Sequence, residues 1–234
     1  MGLSRHLEGL PAAELVSWAI STYGAAFAVA TSFQKEGMVI LDLAFRAGGC
    51  RVFTLDTGRL PNETYGIMET VRERYGMSVE RVAPLRDELD KMVSAHGRDL
   101  FYSSPELRAL CCEIRKVRPL QRKLQELKAW ATGLRREQSA ERSSVRKAEE
   151  IDGRILLSPL ADWSWEQVDR YIRDNDVPVH PLYARGYTSI GCAPCTRAVA
   201  TGEDERAGRW WWEQQSRKEC GIHFAANGTV ERNA

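Results

Sequence analysis

At 234 residues, with 43% apolar and 28% charged side chains, the chain has the composition of a soluble globular protein; disordered and fibrous classes are excluded. Thirty-three Lys and Arg against 32 Asp and Glu leave a net charge of +1, so there is no polyelectrolyte face for a long nucleic acid, and any anion must be met by local cations. No apolar run is long enough to cross a bilayer, and the first residues lack the apolar core of an export signal; the expectation is a cytoplasmic protein without a membrane partner. Six cysteines in a chain of this length are too few for a disulfide scaffold, which directs attention to metal binding or catalysis.

Pro11 and Glu14 open an apolar-periodic stretch that predicts a helix ending near Gly24. FAVATS at 27–32 and RVFTLDTG at 51–58 are short apolar runs flanking a helical MVILDLAFRAG, a β-α-β pattern. SVERVAP at 78–84, KAWATG at 128–133 and RILLSPL at 154–160 continue the alternation, so the expected fold class is α/β with an open, mostly parallel sheet and helices on both faces. In such sheets ligands sit beyond the carboxyl ends of strands, which points to 31–35, 56–58 and 132–136.

Ser104, Pro105 and Glu106 start a helix that runs toward Pro119 and carries Cys111 and Cys112 near its middle. Ser164 and Gln167 have capping-box spacing at the start of another helix. Beyond Asp174 the prolines and glycines predict loop or short turns presenting Cys192 and Cys195. The organisation expected is one α/β domain over residues 1–209 and a mobile tail over 210–234.

The four paired cysteines suggest a tetrathiolate site. Zinc and a 4Fe-4S cluster both accept such a set. Adjacent helical residues point about a third of a turn apart, which suits a cube with several irons better than one compact ion. Taken by themselves, the residues also admit two buried helical cysteines and a separate redox dithiol in GCAPC. Cys220, in RKECGIHF, has Lys218 and His223 nearby and Gly221 beside it, a setting suited to a nucleophilic thiolate. Arg115 and Lys116 each follow a cysteine of the helical pair by four residues and offer charge compensation on that face. Arg135 and Arg136 follow a strand, and Arg206 and Arg209 precede a run of three tryptophans; all are candidate anion contacts. Ser32, Phe33, Gln34 and Lys35 lie between a strand and a helix, where backbone N–H groups favour a phosphate, although no P-loop pattern is present.

Together TSFQKEG, LDTGRLPNETY, CCEIRKVRPL, WATGLRREQS, GCAPCTR, ERAGRWWWE and KECGIH resemble the assimilatory adenylyl-sulfate reductases of iron-sulfur type, over about residues 27 to 224. The resemblance implies an adenine nucleotide alpha-hydrolase-like fold and one 4Fe-4S cluster on Cys111, Cys112, Cys192 and Cys195. It further implies Cys220 as nucleophile and a two-stage reduction of adenosine 5'-phosphosulfate to sulfite and AMP, completed by thioredoxin or a similar thiol carrier. The substrate contacts it implies are Ser32, Phe33, Gln34 and Lys35, then Asp56, Thr57 and Gly58, with Lys116, Arg135 or Arg136, Arg206, Arg209 and His223. Lys35 stands where a small residue is common in the family. A homo-oligomer is expected by analogy alone. The alternatives are reduction of the 3'-phosphorylated nucleotide, tRNA thiolation on the same fold, for which the chain lacks both a Ser-Gly-Gly loop and a basic face, and a zinc-stabilised nucleotide-binding module.

Overall fold

A computed structural model describes residues 6–139 and 142–213, together with the paired strands His223–Phe224 and Val230–Glu231. Its six-stranded sheet has the order β3-β2-β1-β4-β6-β5. The strands are β1 (Phe27–Ala30), β2 (Arg51–Leu55), β3 (Val79–Val82), β4 (Ala129–Ala131), β5 (Ala148–Ile151) and β6 (Arg154–Leu157). β1 pairs in parallel with both β2 and β4, and β4 with β6; β5 is antiparallel to β6. The expected mostly parallel α/β sheet is therefore present. Because β1 lies between β2 and β4, the strand order reverses there, and the carboxyl ends of β1 and β4 flank the switch point at which such sheets bind ligands.

β5 is not anticipated from periodicity, because the adjacent Glu149 and Glu150 break the period-2 alternation of a strand. The signal was in the turn: Asp152 and Gly153 both adopt positive φ, 50° and 72°, as a two-residue hairpin loop between right-twisted strands requires.

The residues fall into two compact units. The first takes Met1–Thr54, Glu63–Glu80 and Glu126–His180. In it α1 (Ala12–Tyr23), α2 (Lys35–Arg46), α3 (Asn62–Tyr75) and α7 (Trp165–Asp174) accompany most of the sheet. Leu15, Val16, Phe27, Val29, Val39 and Trp130 are buried in its core. The near-continuous apolar character of β1 and β4 is what a parallel strand covered on both faces needs.

The second unit takes Leu55–Asn62, Arg81–Gln125 and Pro181–Ala234. It contains α4 (Arg86–His96), α5 (Pro105–Cys112) and α6 (Arg118–Leu124). The single helix expected from 105 toward Pro119 is interrupted by a π turn over Glu113–Val117 and resumes as α6 to Leu124. Pro119 survives inside this run because it sits in the first turn of α6, where its missing N–H removes little. Met92, Leu100, Phe101, Ile114 and Trp210 form the apolar core of this unit with three of the cysteines.

Candidate functional site

α5 begins where the sequence requires. The Ser104 hydroxyl accepts from the Leu107 N–H at 3.2 Å, and Pro105 opens the first turn. Its last two residues are Cys111 and Cys112, and the π turn that follows carries Arg115 and Lys116. Single π turns recur at functional sites because the widened backbone re-aims the side chains around it. The second pair is held by the short turn Ala193–Cys195: Cys195 N–H donates to the Cys192 carbonyl at 2.9 Å, the Thr196 hydroxyl donates to the same carbonyl at 3.0 Å, and Ala193 N–H donates to the Arg59 carbonyl at 2.8 Å.

Cys111, Cys112, Cys192 and Cys195 line one cavity, each 6–8% exposed, and none is in a disulfide. Among the described residues, no three His, Cys, Asp or Glu side chains group around one ion position, although the four cysteines share the cavity lining. Arg59, Arg108, Arg115 and Lys116 share the lining. Burial pushes the Cys195 thiol up to about 12, with Cys192 adding to the rise and Lys116 and Arg209 opposing it. Cys111 is raised by burial as well, against the pull of Arg115. Thiols in this setting become thiolates when a metal displaces their protons.

Among the described residues, three buried N–H donors have no acceptor: Arg115 Nε, Arg209 Nε and Trp210 Nε1. Each unsatisfied donor costs about 1–3 kcal/mol, more for a charged group. Arg115 and Trp210 belong to the cavity lining, and Arg108 and Arg209 both lie over the Trp210 ring, at 4.6 and 4.7 Å from its centroid. Four thiolates and cluster sulfide would supply acceptors for the two of these donors that line the cavity, Arg115 Nε and Trp210 Nε1, so the lining fits an anionic tetrathiolate cluster.

The LDTG turn belongs to the same unit. Asp56 is spent internally: one carboxylate oxygen accepts from Gly58 N–H at 3.0 Å and the other from Arg81 at 2.8 and 2.5 Å. Gly58 takes φ 69° to close this turn. Thr57 instead faces the cysteines, with its hydroxyl 3.2 Å from the Cys192 sulfur and its carbonyl accepting from Arg115 Nη1 at 2.6 Å. Sequence reasoning placed Thr57 with the nucleotide and missed this contact, since nothing local links 57 to 192. Arg59 and Arg108 were missed as well. The spacing of Arg108, three and four residues before the cysteine pair, was the available signal.

Arg209 is 5% exposed and its Nη1 reaches the Ser189 hydroxyl at 3.4 Å, while Arg206 is half-buried on the preceding turn, its carbonyl accepting from Arg209 N–H at 2.9 Å. Cys220 lies outside the described residues; His223 is described only as backbone in the strand His223–Phe224.

In the first unit, the loop after β1 is folded on itself. The Thr31 hydroxyl accepts from Phe33 N–H at 2.9 Å, and Phe33 is fully buried at φ 59°. A β-carbon on Gly37 would stand 2.4 Å from the Thr31 hydroxyl, so this tight loop needs the glycine. Ser32 is exposed and its hydroxyl accepts from Gln34 at 3.1 Å. Lys35, the first residue of α2, pairs with Asp169 at 2.7 Å and lies 4.2 Å from the centre of the Trp165 ring. Arg135 is 1% exposed: its Nε donates to Glu36 at 2.9 Å and its Nη1 to the Trp163 carbonyl at 3.3 Å. Arg136 turns away to Glu8 and the Val145 carbonyl. Both paired arginines therefore already have protein partners.

Residues 26–198 match the phosphoadenosine phosphosulfate reductase domain. The chain belongs to that family. Within the phosphoadenosine phosphosulfate reductase family it is 48% identical over 208 residues to the adenosine 5'-phosphosulfate reductase of Burkholderia cepacia, covering 88% of this chain and 83% of that one. It is 49% identical over 197 residues to the enzyme of the same name from Allochromatium vinosum, covering 83% and 77%. Among solved structures it is similar to the phosphoadenylyl-sulfate reductase of Candida auris in its phosphate complex, with TM-score 0.67, 28% identity, and coverage of 82% and 93%. The FMN adenylyltransferase of Candida glabrata shares the fold alone, at TM-score 0.55 and 15% identity over 83% of this chain and 71% of that one.

Proposed function

We propose that the chain is an oxidoreductase that reduces adenosine 5'-phosphosulfate to sulfite and AMP in sulfate assimilation. The observation that carries this reading is identity near one half, over most of both chains, with proteins that bear that enzyme's name. The cysteine cavity supports it independently. Cys111, Cys112, Cys192 and Cys195 would hold one 4Fe-4S cluster, which when bound supplies a fixed anionic body beside which Arg115 and Lys116 are retained.

In the proposed first stage the Cys220 thiolate attacks the sulfate sulfur, an S–S bond forms, and the bond from sulfur to the bridging oxygen breaks with AMP as leaving group. A nucleophilic anion meets an anionic substrate here, so cations must offset the charge that gathers on the departing phosphate. Lys116, Arg206, Arg209 and His223 are assigned to that task; Arg135 or Arg136 would join only by giving up a present partner. Ser32 to Lys35 and the Asp56 to Gly58 turn would hold the nucleotide. In the second stage a thiolate of thioredoxin or a similar carrier attacks the Cys220 sulfur of the S-sulfocysteine and sulfite departs. A second carrier thiol resolves the mixed disulfide, leaving the carrier oxidised and Cys220 reduced. The two electrons come from the carrier's thiols, and a cytoplasmic location, where such carriers stay reduced, suits the reaction.

A second reading, the 3'-phosphorylated nucleotide as substrate, has the Candida auris neighbour in its favour. Anaerobically purified protein incubated without a carrier, once with each nucleotide, discriminates by peptide mass. We expect a sulfo adduct confined to the Cys220 peptide with adenosine 5'-phosphosulfate. An adduct only with the 3'-phosphorylated nucleotide would transfer the assignment, and no adduct with either, from protein containing zinc without iron or sulfide, would favour the zinc-stabilised module.

A further inference from the structure

Gly191 precedes the first cysteine of the Cys192–Cys195 turn and its conformation does not demand glycine, since its φ lies outside the left-handed region. Space is what demands it. A β-carbon built at this position would lie 2.5 Å from Arg209 Nη2, 2.7 Å from Cζ and 2.9 Å from Nη1. All three contacts are with the guanidinium and none is with backbone. Arg209 therefore fills the volume that any other residue at 191 would claim.

The Arg209 guanidinium is placed with little else to hold it. It is buried, its hydrogen bond to Ser189 is long at 3.4 Å, its Nε has no acceptor among the described residues, and it lies over the Trp210 ring at 4.7 Å. A buried cation with an unanswered donor is poised for an anion. The bare backbone of Gly191 is the floor on which it rests.

We infer that Gly191 is a positioning residue for Arg209, reserving beside Cys192 the space from which the Arg209 guanidinium meets an anionic group of the substrate. This rests on the assignment of Arg209 to the phosphosulfate given above. An alanine at 191 leaves the backbone conformation available and places its methyl group against the movable end of a side chain. Restoring ordinary contact distances of about 3.5 Å requires the guanidinium to shift by about 1 Å. Such a displacement of a charge-stabilising group can cost on the order of 100-fold in rate.

The test is a double-mutant cycle of Gly191→Ala and Arg209→Ala, with two readouts: dissociation constants for adenosine 5'-phosphosulfate and AMP, and the single-turnover rate of sulfo transfer to Cys220. Iron content and the visible absorption spectrum are recorded for every variant. We expect Gly191→Ala to weaken phosphosulfate binding or slow transfer about 10- to 100-fold, as Arg209→Ala does, with the AMP constant changing less. In the Arg209→Ala background, Gly191→Ala should then change either quantity less than about two-fold, because the group it displaces is gone. Losses that multiply in the double variant would overturn the inference, as would iron loss from Gly191→Ala that persists without Arg209, since the glycine would then serve the cysteine turn itself. Iron loss relieved by Arg209→Ala would support the clash. If Arg209→Ala alone leaves both readouts at wild type, the assignment of Arg209 to substrate fails, a result distinct from failure of the cycle.

Discussion

Lys116 is proposed to serve two anions, the cluster and the substrate. It follows Cys112 by four residues, shares a cavity with all four cysteines, and lowers the Cys195 thiol against its burial. If its role is to offset charge on the departing phosphate, Lys116→Ala should slow single-turnover sulfo transfer on the order of 100-fold while iron content stays near that of wild type. A variant that loses its iron but transfers at the wild-type rate per cluster would reassign Lys116 to retention of the metal. Thr57, proposed with its turn to hold the nucleotide, also has its hydroxyl 3.2 Å from the Cys192 sulfur, a placement that only the pairing of distant segments could reveal.

Among the elements, the start of α2 depends on a buried ion pair. Glu36 is 7% exposed and accepts from both Arg135 Nε and the Gln138 amide, while a β-carbon on Gly133 would stand 2.8 Å from the Glu36 β-carbon. The loop after β4 is thus clamped against the loop after β1 by charge and by the absence of a side chain. Glu36→Gln retains the shape but strands the Arg135 charge, whose next carboxylate, Glu137, is 3.7 Å away on an exposed side chain. Chemical denaturation should register a loss of about 3 kcal/mol. A change below about 1 kcal/mol would mean that Glu137 or water readily replaces Glu36. The π turn between α5 and α6 is the element least legible in advance, since Glu113–Val117 carries ordinary helix formers and only its neighbours decide that the backbone widens there.

At the scale of the whole molecule, stability should respond to pH through His180. It is 1% exposed, its Nε2 lies 3.0 Å from the Thr64 hydroxyl, and burial holds its pKa below the ordinary 6.5 with Glu63 pulling weakly the other way. In the folded protein the ring stays neutral in the range where the unfolded chain takes up a proton. The unfolded state therefore binds more protons below about pH 6.5, so this contribution is complete above that value and is lost as pH falls toward the folded-state pKa. Thermal unfolding followed from about pH 7 to about pH 5.5 should show a shallower decline for His180→Gln than for wild type. Equal slopes would assign the decline to other groups. No described helix is long and apolar enough to cross a membrane.

The sequence by itself determined the α/β alternation, the capped helix bearing Cys111 and Cys112, the turn-borne pair Cys192 and Cys195, and the family, because these rest on local periodicity, capping residues and motifs read along the chain. Tertiary structure decided which groups meet. That Asp56 is consumed by Arg81 while Thr57 faces Cys192, that Arg135 is locked to Glu36 while Arg136 reaches Glu8, and that Gly191 leaves room for Arg209 all depend on contacts between segments far apart in sequence. Residue type fixes what a side chain can bond to; only packing fixes which of its candidate partners lies within about 3 Å when the chain is folded.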